Sequence, residues 1–488
     1  MGARRPTGHP PRLNGPAPAH ARRARGYEAG WTIRVLPTQL SSHPSSANGA
    51  RHHAHKETPM TTPVYVLGGA QTDFARNWSK EGLGLVDMFA EIVPAALSDA
   101  CVAEREVGVI HVSNLAGELF AGQAQLGGMV VAAVPGLDGL PSTRHEAACA
   151  SGSTAVLAAC ADIESGRYDV ALVAGIELMR NVPAQKAAEY LGTAAWAGRE
   201  AVDATYPWPA LFADIAREYD RRYGLDHAHL GRFAEIAFAN GSRNPRAQTR
   251  DWEFAPGSFD VNDEVNPIVE GMLRKTDCGR ITDGGAAVVL AGPKFAQAWA
   301  QRTGADLDQE ATIAGFGHRT ASLLLADKIA DSVDRTYLFP HLHGAIADAY
   351  RRAGIAGVAD LDVAEIHDCF TINGLLTLEH IGLAKPGKGG EAIMDGSIER
   401  GGRLPVNPGG GLMSHGHPVG ATGIRMILDS ARQVTDRAGE QQIDNARRAL
   451  TVNIGGSFTT TVATVVTRGH RLVTRAEHRT STNSSNPR

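Results

Sequence analysis

Cys149 lies in HEAACASGSTA and His417 in GGGLMSHGHPVGATG, and each stands three residues before a glycine, Gly152 and Gly420. A thiol and an imidazole can carry nucleophilic acyl chemistry: the imidazole takes the proton and the thiolate attacks. The small residues after Cys149 open a helix. Its free N–H groups and positive end are expected to lower the thiol's pKa and make Cys149 the thiol most reactive toward iodoacetamide near neutral pH. An isolated cysteine is more often buried and inert, but the matching histidine turn favours a nucleophile. Glycines on both sides of His417, with Pro418 after it, suit a rigidly held general base. His415 fits that description equally well. A third cluster, His367, Asp368 and Cys369 in HDCF, follows the short run VAEI, where a capping Asp and a buried Cys are the plainer alternative.

The surrounding pattern supplies the elements. DVALVAG at 169–175 is a continuous apolar run closed by glycine, as in a strand buried on both faces. Before it, 153–165 places apolar residues at 156, 159, 160 and 163, a helical stripe with Gly166 where a C-cap would sit. Strand, helix and strand at this spacing predict a covered parallel or mixed sheet. VYVLGGAQTDF near 65 is echoed by ATIAGFGHRTA near 312, VALVAG by ALTVNIGG, and DGGAAVVLAG at 283 by FTTTVATVV at 458. Two similar α/β halves would bring Cys149 and His417 together across a pseudo-twofold axis. The halves are expected at 60–180 with 277–300, and at 301–468. Residues 181–276 have no counterpart and read as a mainly helical insertion. Residues 1–59, rich in Pro, Gly, Ala, Arg and His, are expected to be a disordered or mis-assigned extension, and 469–488 a disordered tail.

Composition removes other classes. The 488 residues are 43% hydrophobic and 20% charged, enough to bury a large core. Residues 1–60 hold nine Lys/Arg against two Asp/Glu, which leaves 39 against 50 for the rest. So acidic a body does not hold nucleic acid by general electrostatics. No run approaches the ~20 apolar residues of a membrane helix. Five cysteines, with neither CxxC nor HExxH, argue against a disulfide scaffold and a zinc site and for a reduced intracellular compartment.

From Pro63 to Thr467 the chain resembles the thiolase family, through CASGSTA, GIELM at 175–179, TDGGAAVVLAG at 282–292, HDCF, GHPVGATG and NIGGS at 453–457. The resemblance implies a five-layered αβαβα fold of two αβαβαββ halves with an inserted loop domain. It implies thiolysis of a 3-oxoacyl-CoA, or the reverse Claisen condensation, through an acyl group on Cys149. His417 rather than His415 would activate that thiol. One oxyanion site would use His367 with His417, the other the backbone N–H groups of Cys149 and Gly456. Ordinary thiolases carry Asn-Glu at 367–368 and a second cysteine at the position of Asn453. HDCF instead looks like the sterol-carrier-protein-2 type, where Cys369 would move the proton, its pKa of about 8.5 brought toward 7 by a nearby imidazolium. Coenzyme A would be a substrate, with no metal and no permanently bound cofactor, and Arg274 and Lys275 are candidates for its adenylate. The resemblance further implies a homodimer or homotetramer, and a cytoplasmic location is expected. A 3-oxoacyl synthase-like condensing enzyme and a non-catalytic, lipid-binding thiolase relative are the alternatives.

Overall fold

A computed structural model describes residues 62–469. The expectations for 1–59 and for the tail beyond Gly469 lie outside the described residues. The chain first runs β1 (Val64–Gln71), α1 (Leu85–Asp99), β2 (Val109–Ser113), α2 (Gly117–Ala121), α3 (Leu126–Ala133), β3 (Ser142–His145), α4 (Ser151–Glu164) and β4 (Val170–Glu177). An excursion of α5 (Ala184–Gly192), α6 (Pro207–Tyr223), α7 (His227–Gly241) and the hairpin β5 (Ile268–Glu270) and β6 (Leu273–Arg274) follows. The chain returns as β7 (Gly284–Ala291) and α8 (Pro293–Thr303). The rest comprises β8 (Ala311–Thr320), α9 (Leu325–Asp331), α10 (Pro340–Arg352), β9 (Val363–Ile366), α11 (Thr371–His380), α12 (Gly389–Met394), α13 (Gly411–Ser414), α14 (Val419–Val434), β10 (Arg448–Gly455) and β11 (Thr460–Arg468).

The repeat read in the sequence is present as strand order. Outward from a central seam the strands run β1-β7-β4-β2-β3 on one side and β8-β11-β10-β9 on the other. Pairing senses match outward: β1/β7 and β7/β4 are antiparallel and β4/β2 parallel, while β8/β11 and β11/β10 are antiparallel and β10/β9 parallel. Val406 bridges Ala364 in parallel where a fifth strand of the second half would stand. At the seam, Val64–Val66 pair antiparallel with Ala311–Ile313. Each echoed segment therefore occupies an equivalent place.

The layers follow from which faces are apolar. β4 and β7 are buried along their whole length, as the unbroken apolar run requires. On one face α1 packs with Met88, Phe89 and Ile92 against Leu172 and Val289. Between the halves lie α4 and α14, whose Val156, Ala159, Ile424 and Ile427 form one core with Val173, Val288, Ile313 and Ala449. Beyond the second half, α10 and α11 close the outer layer. The excursion packs on the second half: Phe212 of α6 stacks on Phe370, ring centroids 4.4 Å apart, and shares a core with Phe458, while Phe238 of α7 forms a smaller cluster with Phe254, Phe259 and Met413.

α4 and α14 approach backbone to backbone. A Cβ added at Gly152 would stand 2.9 Å from the Gly423 and Ile424 nitrogens and 3.1 Å from the Gly420 oxygen. At Gly423 it would stand 2.2 Å from the Ser153 nitrogen. Alanine normally favours a helix over glycine by about 1 kcal/mol, but an overpacked methyl against backbone that cannot rotate away costs about 1–3 kcal/mol. Gly152→Ala should therefore lower the urea midpoint and reduce turnover together. A variant at least as stable as the parent would show that the helices can separate freely.

Candidate active site

Two tight turns present the reactive groups. Before α4, Ser151 Oγ accepts the Ala147 N–H (2.9 Å) and donates to the Ala148 carbonyl (2.6 Å). Ala148 is left-handed at φ +50°, a strain of about 1–2 kcal/mol for a residue with a Cβ, and it turns Cys149 toward the second half. Before α14, the His417 N–H donates to Thr282 Oγ1 (2.9 Å), and Glu177 accepts the Gly420 N–H (2.9 Å) along with those of Leu115 and Ala116. HDCF follows β9, and Asp368 accepts the Leu412 N–H at 2.6 Å, tying it to the glycine-rich turn. For Asp368 the plainer, capping reading holds.

Cys149 Sγ and a ring nitrogen from each of His367 and His417 lie within 4.8 Å of one another, and the two rings meet edge to face with centroids 5.2 Å apart. His415, which sequence could not separate from His417, is buried elsewhere. Its Nε2 is 2.7 Å from Gln71 Nε2 and its Nδ1 is 3.8 Å from Asp429. Cys369 stands beside the cluster, close enough for its ionisation to be opposed by Cys149, with Asn373 Nδ2 at 3.7 Å from its sulfur. The Gly456 N–H and that of Cys149 itself act to lower the Cys149 thiol's pKa. A groove of ≈ 660 Å³ adjoins this turn, lined by Ala147, Ala148, Gly455, Gly456 and Arg144 among others. Arg274 is engaged with Asp263 (2.7 Å) and the Asn266 carbonyl (2.9 Å), which removes it as a free adenylate contact.

Proton positions at His417 follow from its neighbours. Thr422 Oγ1 donates its one hydrogen to the Pro418 carbonyl (3.0 Å) and so accepts from His417 Nδ1 (2.7 Å). Nε2 is left as a lone pair, buried and without a hydrogen-bond partner among the described residues. That atom can receive the thiol proton.

Electrostatics corrects two expectations. Burial, and then the Gly456 N–H acting the other way, leaves the Cys149 thiol pushed up to about 12. The favourable helix start is outweighed by loss of water. Burial first and Arg425 second push His417 down to about 3, while burial, His417 and Arg425 hold His367 well below its ordinary value. With no imidazolium beside it, Cys369 is raised well above the usual thiol range by burial and by Cys149, not brought toward 7. The resting site is thus a neutral thiol facing a neutral imidazole. Arg425 itself is fully buried, bonded to Glu365 (2.6 Å) and Asp429 (3.0 Å).

The family models agree with this arrangement. "Thiolase, N-terminal domain" matches residues 64–293 and "Thiolase C-terminal domain-like" matches 327–468. An acetyl-CoA acetyltransferase of Methanothermobacter thermautotrophicus is 33% identical over 410 residues, covering 83% of this chain and 99% of that one. The chain belongs to the thiolase family. Human sterol carrier protein 2 is 28% identical over 414 residues, covering 80% of this chain and 70% of that one. Among solved structures, the Ltp2-ChsH2(DUF35) aldolase superposes with a TM-score of 0.69 at 21% identity, over 85% of this chain and 100% of that one, a likeness of fold. The thiolase architecture of two matched halves is thus the architecture of this chain.

Several supports of this thiolase site were not singled out as functional in the sequence. Thr422 lies inside GHPVGATG and Glu177 inside GIELM, so their motifs were visible but their tasks were not. Lys328 of α9 braces the segment after Gly456 through Ser457 Oγ (2.9 Å) and Thr459 Oγ1 (2.8 Å), and no local signal marks it.

The neutral pair sets the alkylation profile. Iodoacetamide at pH 7 should label the exposed Cys101 first, with Cys149 slow and Cys160, pushed up by burial, protected. A raised thiol pKa means the thiolate fraction of Cys149 climbs about tenfold per pH unit until pH approaches 12. No step should occur between pH 4 and 8, because His417 is already neutral above about 3. A sigmoid rise in Cys149 labelling centred near pH 6 to 7, followed by peptide mass mapping, would reveal an ion pair instead.

Proposed function

We propose that the chain is an acyl-CoA:CoA acyltransferase that cleaves a 3-oxoacyl-CoA with CoA to acetyl-CoA and a shortened acyl-CoA, or runs the reverse Claisen condensation. The observation that carries this reading is the unpartnered His417 Nε2 beside the Cys149 thiol. Similarity to proteins named acetyl-CoA acetyltransferase supports the same class.

The neutral resting pair implies that proton transfer accompanies attack. Cys149 adds to the 3-keto carbon as His417 Nε2 takes its proton, and the alkoxide forms against the N–H groups of Cys149 and Gly456. The C2–C3 bond then breaks, leaving an acyl thioester on Cys149 and an acetyl-CoA enolate. His367 and His417 Nε2–H stabilise the enolate oxygen, and the Cys369 thiol gives its proton to the carbon. The incoming CoA thiol returns a proton to Cys369 as its sulfur attacks the acyl group, and Cys149 recovers its own from His417. Atoms and charge balance with CoA as the one co-substrate. Each oxyanion donor of this type typically contributes about 3 kcal/mol. A role in fatty-acid β-oxidation, a cytoplasmic setting and a homodimer or homotetramer belong to the same proposal. No helix among the described residues is long and apolar enough to cross a membrane.

Similarity to sterol carrier protein 2 favours a second reading, a lipid-binding relative without turnover. Retention of both Cys149 and His417 argues against it. CoA consumption with acetoacetyl-CoA and with one longer 3-oxoacyl-CoA separates the two. Wild type should turn over at least one, and Cys149→Ser should fall to background. No thiolysis of either, with acyl carrier protein substrates also inert, would leave the lipid-binding reading. Activity only with acyl carrier protein substrates would favour the condensing-enzyme alternative. Cys369→Ala should lower turnover roughly 10²- to 10⁴-fold and stop exchange of the acetyl-CoA methyl protons with deuterated water, while Cys149 still accepts an acyl group. Wild-type exchange in that variant would make Cys369 a packing residue.

A further inference from the structure

Asn453 of β10 occupies the position where ordinary thiolases carry a second cysteine, and its side chain is fully buried at the junction of both halves. Its Oδ1 accepts from Ser153 Oγ (2.9 Å), while its Nδ2 lies 3.1 Å from the Cys149 carbonyl and 3.0 Å from His367 Nδ1. An amide nitrogen has two hydrogens, and here each has an acceptor. The reversed amide would set Oδ1 against the Cys149 carbonyl, acceptor facing acceptor with no proton between them. The orientation is therefore fixed by the backbone of the nucleophile itself.

From this geometry we infer that Asn453 is a positioning residue that locks His367 as the Nε2–H tautomer, making it a hydrogen-bond donor in the site and weakening any metal ion's hold on the Cys149, His367 and His417 cluster. A neutral imidazole carries one N–H, so a ring whose Nδ1 accepts must hold its proton on Nε2. His367 Nε2 makes no hydrogen bond among the described residues, so its N–H is available to a substrate oxygen. Burial keeps the ring neutral, consistent with a single proton.

The second half of the inference follows from ligand chemistry. One thiol and two imidazoles within 4.8 Å form a donor set that suits Zn²⁺, which takes Cys sulfur at about 2.3 Å and His nitrogen at about 2.0–2.1 Å. A metal-bound histidine ordinarily donates its other N–H to a carboxylate or carbonyl. Asn453 presents the opposite polarity, a donor aimed at Nδ1. For Nε2 to bind a metal, the proton would have to move to Nδ1 and face the Asn453 N–H, donor against donor. The cluster thereby keeps its thiol and both imidazoles while holding Zn²⁺ less tightly than its donor set alone would.

The inference depends on the proposed acyl transfer only for its kinetic consequence, and its tests do not need turnover. In wild type labelled with ¹⁵N-histidine, the His367 resonances, assigned by their loss in His367→Gln, should show a protonated Nε2 and an unprotonated Nδ1. The opposite tautomer would overturn the inference, whatever the activity. Asn453→Asp supplies an acceptor to Nδ1–H, so it should bind Co²⁺, the spectroscopic substitute for Zn²⁺, at least roughly tenfold more tightly than wild type, the scale of second-shell effects. Thiolate-to-Co²⁺ charge-transfer absorption should accompany binding and vanish in Asn453→Asp combined with Cys149→Ser. Equal Co²⁺ affinity in wild type and Asn453→Asp would overturn the weakened hold on metal. If the enzyme turns over, Asn453→Leu should lower kcat more than it alters KM, because the lost constraint acts on the oxyanion. A failure of all turnover alongside the expected tautomer would reject the acyltransfer reading and leave this one standing.

Discussion

Everything in the site depends on how closely two helices can pass. α4 and α14 come from opposite halves, and at Gly152 and Gly423 their backbones touch with no side chain between them. That contact fixes the separation of the residues just before each helix, Cys149 and His417. Larger residues would move one group away from the other by more than a proton transfer tolerates, since effective acid–base partners need hydrogen-bond reach. Gly152, three residues after Cys149, and Gly423, six after His417, are thus a spacing rule for the active site as much as helix features.

The closeness has an electrostatic cost that the fold meets nearby. A thiol, two imidazoles and Asp368 share a buried region, where every charged form is disfavoured by loss of water. Arg425 of α14, eight residues after His417, is the permanent charge, held by Glu365 and Asp429. Its field opposes protonation of both site histidines. Such a triad gives little stability by itself, because desolvation offsets attraction, yet removing one member would leave the others unpaired. It is better understood as a fixed cation that adds to burial in keeping both imidazoles neutral.

Much of the architecture was legible because it rests on local pattern. The echoes VYVLGG and ATIAGFG became β1 and β8, the two strands at the seam, and the matched Cys149 and His417 turns became equivalent helix starts. Gly166, read as a cap, is left-handed at φ +72° just after α4. The direction of the thiol pKa was not legible, since a helix start can be seen in sequence but the depth at which it lies cannot. Nor was the choice between His415 and His417, two residues apart, except by resemblance. The polarity of the hydrogen bonds at His367 and His417 depends on Asn453 and Thr422, one of them distant in sequence, and tautomers leave no local signature. The stacking of Phe212 on Phe370, which makes the excursion part of the second half's core, is likewise a long-range contact.

The division of the site between two halves also governs when during synthesis its parts can first meet. Cys149 and Asn453 are 304 residues apart, and β10 is among the last strands to leave the ribosome. A nascent chain that has exposed Cys149 still lacks His417, the Gly456 N–H and the Asn453 brace. Its thiol is then an ordinary, unassisted one amid abundant cellular thioesters. Because contacts this distant close late in folding, the site is assembled only on completion. An interrupted translation product or a clipped fragment ending before the second half therefore carries the thiol without the rest of the site, a consequence of strand order alone.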